Sequence, residues 1–386
     1  MADKKSAPGR FHILSETCLV NRAAHEVFRS HFTSHGWVPA RRLEEADCVV
    51  HLTCATRKDC EELSLRNIQD ITKRLKPGAR LVVSGCLPKI APARLAQVFQ
   101  GPIIDPRTFA GMEAVFKDPP GRVRRSAAPV RKEFHYVTED SFVIMTATGC
   151  RHRCSFCAIK NAVGPLRSRP IATIVQEARQ GLRAGYRNIR LIADDNGSYG
   201  LDIQTDLIEL LEKLLRIPGD FKIEVWQFNP WGLIRMLPRL LPLLATGRFW
   251  GLRSQLQSGN DQVLRWMNRP YRAADFKSCI RAIRRASPKT KLFTTVIAGF
   301  PGESEAAFQD TVKIILDLTF DAVMVYAFSE MPGTTVPPGL KRVPEPVIAE
   351  RVARLEQIKW LGHPDILDML RGQAAPKRSR APRANP

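Results

Sequence analysis

Residues 146–160 read TATGCRHRCSFCAIK. Three cysteines stand there at the spacing Cys-x3-Cys-x2-Cys, namely Cys150, Cys154 and Cys157, just after the apolar run 142–148. Three thiolates on one tight loop can hold three irons of a [4Fe-4S] cluster and leave the fourth iron without a protein ligand. An open metal position is where a substrate or cofactor binds, the feature that separates catalytic from structural metal sites. The competing assignment is a zinc site completed by His152 or a distant residue. Structural zinc usually uses paired Cys-x2-Cys elements, and no second pair occurs in this chain.

Working outward, six apolar runs recur from Ser141 onward, at 142–148, 188–193, 221–227, 249–256, 291–298 and 321–328, each followed by helical periodicity. Six βα units predict a partial (βα)6 barrel, an open relative of the eight-unit barrel. Upstream, Phe11–Leu14, Cys48–Leu52 and Leu81–Val83 alternate with helical patterns over Asn21–His35, Arg57–Leu75 and Ala91–Gln100. That alternation predicts an α/β fold with a doubly wound parallel sheet. The expected organisation is a disordered start over 1–10, an α/β domain over 11–116 and a basic Pro/Gly linker over 117–139. The barrel domain follows over 140–362, with a final helix at Pro346–Trp360, and then a basic, disordered tail over 363–386.

A second set of cysteines shares no local motif. Cys18 follows FHILSET, Cys54 follows CVVHLT and Cys86 follows LVVSG, so each falls just past the carboxyl end of a predicted strand. In a parallel sheet those ends lie on one edge, where ligand sites of open α/β folds gather. Any one of them alone reads as an ordinary buried cysteine. Cys48, Cys60 and Cys279 lack this placement and read as packed residues.

Nine cysteines are many for a reducing compartment, and an odd number argues against a closed disulfide framework. Fifty-nine Lys and Arg against 38 Asp and Glu give a formal charge of +21, a field that attracts polyanions. A solvated basic surface explains the same number equally well. No apolar stretch reaches the length that crosses a bilayer, and Met1–Arg10 has no apolar core of a signal peptide. The expectation is a cytoplasmic protein with no membrane partner.

Several segments in order resemble the methylthiotransferase family of radical S-adenosylmethionine (SAM) enzymes, over about Phe11 to Trp360. TCLVNRAAHE, ADCVVHLTCA and LVVSGCLP match the family segments that carry Cys18, Cys54 and Cys86. The Cys150 triplet follows, with the aromatic Phe156 before its last cysteine, then GPLRSRP, GYRNIRLIADDNGSYGLD, LRSQLQSGNDQVLRWMNRPY, TTVIAGFPGESEAAF and VYAFSEMPGT. The resemblance implies two [4Fe-4S] clusters, one on Cys150, Cys154 and Cys157 that cleaves SAM reductively, and one on Cys18, Cys54 and Cys86 that carries the sulfur to be inserted. It implies a substrate that is a tRNA adenosine or an aspartate of a ribosomal protein; the expected state is a monomer that draws on a reductant such as flavodoxin or ferredoxin.

Phe156 is expected against the adenine of SAM. Asp194, Asp195, Gln257 and Ser258 fall past barrel strands and are expected to contact the cofactor. A turn and helix cap is the plain alternative for Asp194 and Asp195. Departures from the family pattern are Ala24 and His25 in place of Asp-Ser, Thr295 in place of Asp and Met331 in place of Arg. Residues after Trp360 are too few and too polar for the small β-barrel, called TRAM, that family members usually carry, which leaves RNA, peptide and metabolite substrates open. Two further readings remain: a radical-SAM enzyme on a peptide or metabolite without sulfur transfer, and a non-catalytic iron-sulfur protein that binds nucleic acid.

Overall fold

The computed structural model describes residues 9–15, 19–109, 112, 135–138 and 140–359. Its first part is a parallel sheet of β1 (Arg10–Ser15), β2 (Val38–Pro39), β3 (Cys48–Thr53) and β4 (Arg80–Gly85) in the order β2-β1-β3-β4. All six residues of β3 are buried, as expected for a parallel strand covered on both faces. Cys48, Val50 and Leu52 meet Val27, Phe28 and Phe32 of α1 (Leu19–Ser34), whereas Val49 faces Leu65, Ile68 and Ile71 of α2 (Lys58–Arg74). Helices on both faces make the sheet doubly wound, as the sequence predicts. The short edge strand β2 was not expected. The helix expected over 91–100 is two short ones, α3 (Leu87–Ile90) and α4 (Pro92–Ala96). Pro92 disfavours helical geometry at Ala91, which takes φ −133° and ψ 59°.

The second part contains parallel strands β6 (Ser141–Thr148), β8 (Asn188–Ala193), β9 (Lys222–Val225), β10 (Phe249–Arg253), β11 (Lys291–Ala298) and β12 (Ala322–Ala327). Their order, β12-β11-β10-β9-β8-β6, is that of the expected partial barrel, extended by antiparallel β5 (His135–Val137) on β6. β5 lies inside the stretch expected as linker; the basic run 117–134 lies outside the described residues. A two-residue strand, β7 (Arg167–Ser168), also pairs with β6.

Between strands run α5 (Ile159–Val163), α6 (Ile171–Arg183), α7 (Leu207–Leu215), α8 (Pro230–Leu244), α9 (Asp261–Trp266), α10 (Ala273–Ala286) and α11 (Glu305–Leu318). α12 (Glu345–Lys359) closes the described chain. Leu191, Val225, Leu252, Leu292 and Val323 pack outward into one large core with Leu210, Leu240, Phe276 and Ile315 of these helices.

Side chains on the opposite face of the strands point into the concave interior, and there the two parts meet. Val20 and Ala23 of α1 pack against Val143, Met145, Ile192 and Trp226. The first domain thus caps the open barrel through apolar contact.

Candidate iron-sulfur and cofactor site

Gly149 precedes the cysteine loop with φ +81°, and a Cβ there would lie 1.9 Å from the Pro165 carbonyl oxygen. Glycine alone fits, and the resulting close approach turns the chain from β6 into the loop. The loop is then pinned from several sides. Cys150 N–H donates to Gly164 O at 3.2 Å, Ser155 N–H to Met267 O at 3.0 Å and Ser155 Oγ–H to Trp266 O at 2.7 Å.

Cys154 is buried, while Cys150 and Cys157 are half-buried, and none forms a disulfide. Burial pushes the Cys157 thiol up to about 11, aided by the neighbouring Cys154. Cys150 is raised by burial and by Asp195, with smaller contributions from Cys154 and Cys157. Thiols that raise one another release protons when iron replaces them. Arg269 turns a guanidinium N–H to Cys154 Sγ at 3.2 Å, and its other arm donates to Gln255 O. It lies in the MNRPY segment and was not singled out from sequence, because nothing in its spacing relates it to a cysteine 115 residues away.

The donor set suits a cluster better than one zinc ion. Among the described residues no three His, Cys, Asp or Glu side chains converge on a single ion. A cubane places each thiolate on its own iron and needs no such convergence. His152 is engaged elsewhere: its Nε2 lies 3.3 Å from Asp195, and its ring meets Trp231 edge-on. A cavity of about 670 Å³ opens beside the loop, lined by Cys150, Arg151, His152, Arg153, Lys160 and Asn268 among others.

The other expected contacts differ in how free they are. Asp195 accepts from Gly197 N–H, Ser198 Oγ–H and Asn229 Nδ2–H at 2.9, 2.6 and 2.7 Å, and is the N-cap of the turn 196–198. Burial pushes its carboxyl up, but His152 and these donors together hold it below the ordinary value. Asp194 accepts Gly149 N–H at 2.7 Å, and burial raises its carboxyl although Arg107 of the first domain opposes this. Ser258 is fully buried, with its Oγ near Asn260 N and Thr311 Oγ1.

Gln257 is different. It has φ +68°, and its Oε1 is buried without a partner among the described residues. Gln227, just past β9 and not noted in the sequence, repeats both features with φ +51°. Two non-glycine residues held in the left-handed region at one rim store strain of the kind found around ligand sites. Phe156 packs beside Ile297 and Phe300 of the Gly-Phe-Pro-Gly loop.

In the first domain, Thr53 pairs with Gly85, so Cys54 and Cys86 leave neighbouring strands side by side. Cys86 N–H donates to Thr53 O at 3.0 Å, and Asn21 Nδ2–H donates to the same oxygen at 3.2 Å. Gly85 carries φ +95°, with Thr53 O 2.2 Å from its missing Cβ, which parallels Gly149 before Cys150. Cys18 lies outside the described residues.

Cys60 was expected to be a plain packed cysteine. Instead its thiol hydrogen-bonds to Cys54, which lowers the Cys54 thiol and raises that of Cys60, so the proton stays on Cys60. Leu87 and Ile90, after Cys86, share one apolar cluster with Ala158 and Ala162, after Cys157.

Residues 144–315 match the Radical SAM superfamily, and residues 10–104 match the uncharacterised protein family UPF0004. A probable threonylcarbamoyladenosine tRNA methylthiotransferase of Pyrococcus horikoshii is 31% identical over 363 residues, 91% of this chain and 84% of that protein. The chain belongs to the radical-SAM methylthiotransferase family. Another member, a tRNA-2-methylthio-N(6)-dimethylallyladenosine synthase of Chloroflexus aurantiacus, is 31% identical over 92% of this chain and 78% of its own. The ribosomal protein uS12 methylthiotransferase of Nitratiruptor is 29% identical over 90% of this chain and 81% of its own. The methyltransferase TsrM of Kitasatospora setae shares the fold, with TM-score 0.62 and 14% identity over 86% of this chain and 77% of that one. A radical-SAM methylthiotransferase uses SAM and a [4Fe-4S] cluster, which the loop of Cys150, Cys154 and Cys157 suits. No helix among the described residues is long and apolar enough to cross a membrane.

Proposed function

We propose that this methylthiotransferase carries two [4Fe-4S] clusters and replaces a C–H hydrogen of a tRNA adenosine by SCH3. The observation that carries this reading is the shared apolar cluster of Leu87, Ile90, Ala158 and Ala162, which brings the chain after Cys86 against the chain after Cys157. Sulfur insertion needs a sulfur-bearing group within reach of the carbon activated by SAM, and two cysteine sets around one barrel mouth meet that need.

In this reading Cys150, Cys154 and Cys157 would hold a [4Fe-4S] cluster, which would supply the reducing chemistry for SAM cleavage. Arg269 steadies the Cys154 thiolate by a charge-assisted hydrogen bond. Gln257 Oε1 offers the cofactor an unused acceptor; Asp194 lies across the rim, and Asp195 shapes the loop more than it contacts ligand. Ser258 then supports the turn beside Gln257, and Phe156 offers an apolar wall to adenine. Cys18, Cys54 and Cys86 hold the second cluster, and Cys60 keeps Cys54 ready as a thiolate. The net charge of +21 and the basic residues of the cavity favour a polyanionic substrate over a peptide. The protein acts as a cytoplasmic monomer that draws electrons from a flavodoxin or ferredoxin.

The test is mass spectrometry of tRNA nucleosides after anaerobic incubation of reconstituted protein with tRNA, SAM and reductant. One adenosine derivative in which SCH3 has replaced hydrogen is expected. SAM cleavage with no thiolated nucleoside would favour radical chemistry without sulfur transfer.

A further inference from the structure

The barrel interior holds a charged layer that neither cysteine set uses. Arg190 on β8 and Glu224 on β9 are 4% and 2% exposed and form an ion pair at 2.5 Å. Trp226 Nε1–H also donates to Glu224. Arg253, the last residue of β10 and 9% exposed, lies against the same indole. The two guanidinium carbons stand 5.1 Å (Arg190) and 4.9 Å (Arg253) from the Trp226 ring centre.

Arg253 has no carboxylate of its own. Its contacts are Thr295 Oγ1 at 3.4 Å from Nη2, the Tyr326 hydroxyl, and the Trp226 face. Among the described residues its Nε has no partner and it forms no ion pair. Glu224 is bonded directly by Arg190 and Trp226 and attracts Arg253 only from a distance, so among the described residues two cations share one anion. An unpaired buried guanidinium is costly, and burial weakens its hold on the proton. Met324 and Tyr326 on β12 are only half-buried, which leaves the layer open on that side. Arg57 of the first domain covers the Tyr326 ring at 4.6 Å, but its charge is taken by Asp59 at 2.7 Å.

We propose that Arg253 is a specificity-determining residue that pairs with a carboxylate on the substrate group entering the barrel. The inference rests on the reading of this chain as a tRNA methylthiotransferase and names the chemical class of its adenosine. A guanidinium fork with a free Nε and a loosely held Nη2 matches a carboxylate bidentately. Threonylcarbamoyladenosine carries a carboxylate at its end, whereas dimethylallyladenosine ends in an uncharged hydrocarbon that would leave Arg253 unpaired. Arg253 also sits two residues deeper than the rim, since Gln257 N–H bonds to Thr295 O and Arg253 pairs in register with Phe293. Depth favours the substrate over the cofactor at the rim.

The experiment measures binding of two anticodon stem-loop RNAs to the reconstituted, SAM-loaded protein under anaerobic conditions. One carries N6-threonylcarbamoyladenosine, and the other carries the methyl ester of the same group, which removes the charge and adds one methyl. Wild-type protein should bind the acid at least about tenfold more tightly than the ester, the scale of one charged hydrogen bond. R253Q should bind the two alike, by weakening the acid alone, and R253K should keep part of the preference. Equal binding of acid and ester by wild-type protein needs no variant to fold, and it would overturn this proposal while leaving tRNA thiolation intact. A loss of SAM affinity in R253Q, equal with either RNA, would assign Arg253 to the cofactor and also overturn it. Binding of neither RNA would overturn the tRNA reading itself and this inference with it.

Discussion

Arg269 donates an N–H to Cys154 Sγ at 3.2 Å across 115 residues of sequence. Hydrogen bonds to ligand sulfur draw electron density from a cluster and raise its potential. Arg269→Met should therefore shift the potential of the Cys150/Cys154/Cys157 cluster downward, on the order of tens of millivolts. EPR-monitored redox titration reads this directly, and an unchanged potential would reduce Arg269 to a brace for the loop.

The two left-handed glycines make a paired prediction. Gly149→Ala forces a Cβ to within 1.9 Å of Pro165 O, and Gly85→Ala forces one to within 2.2 Å of Thr53 O. Each should cost about 2–3 kcal/mol or more locally. Iron assays after reconstitution should show G149A losing the first cluster and G85A the second. Equal loss of both in either variant would mean global unfolding and not a local defect.

The strands before these two turns are legible in the sequence. Strands such as CVVHLT and KLFTTVIA show apolar runs of the right length, and the cysteines of TATGC and VVSGC stand just past strand ends. The turns themselves and the partners beyond them are not legible. Arg269 meets Cys154, and Arg253 faces Trp226, only because β10 closes on neighbouring elements, and no periodicity records that. Cys60 reads as packing in the sequence because it does not follow a predicted strand, while its thiol meets Cys54 only through the bend at residues 54–57. Conversely, Asp194 and Asp195 stood out as a rim motif, yet Asp195 is consumed by its own turn.

Breaking the buried Arg190–Glu224 pair should be strongly destabilising. Glu224→Leu leaves Arg190 unpaired among Trp226 and Arg253 and should cost about 3–5 kcal/mol. The double variant R190M/E224L should recover much of that loss. Urea denaturation of the three proteins checks it, and a double variant no better than the single would show that Arg190 is not the burden.

His51, on β3, is fully buried, and burial lowers its imidazole from 6.5 to about 4 despite backbone hydrogen bonds at Leu14 and Ser64. The folded chain thus keeps His51 neutral, while the unfolded chain takes up its proton first as pH falls. Stability should be full above about 6.5 and decline between about 6.5 and 4, by on the order of 3 kcal/mol from this residue. His31, held near about 4 by burial and His35, acts in the same sense. Denaturation midpoints at pH 7 and pH 5 measure the decline, and H51N should reduce it.

Two clusters on separate cysteine sets are the centre of this account, and iron content with EPR of anaerobically reconstituted protein tests them most directly. Wild-type protein should hold about eight irons per chain, and the Cys150, Cys154 and Cys157 triple alanine variant about four, with the spectrum of one cluster remaining. About four irons in wild type falling to none in the variant would remove the second cluster, and sulfur insertion with it.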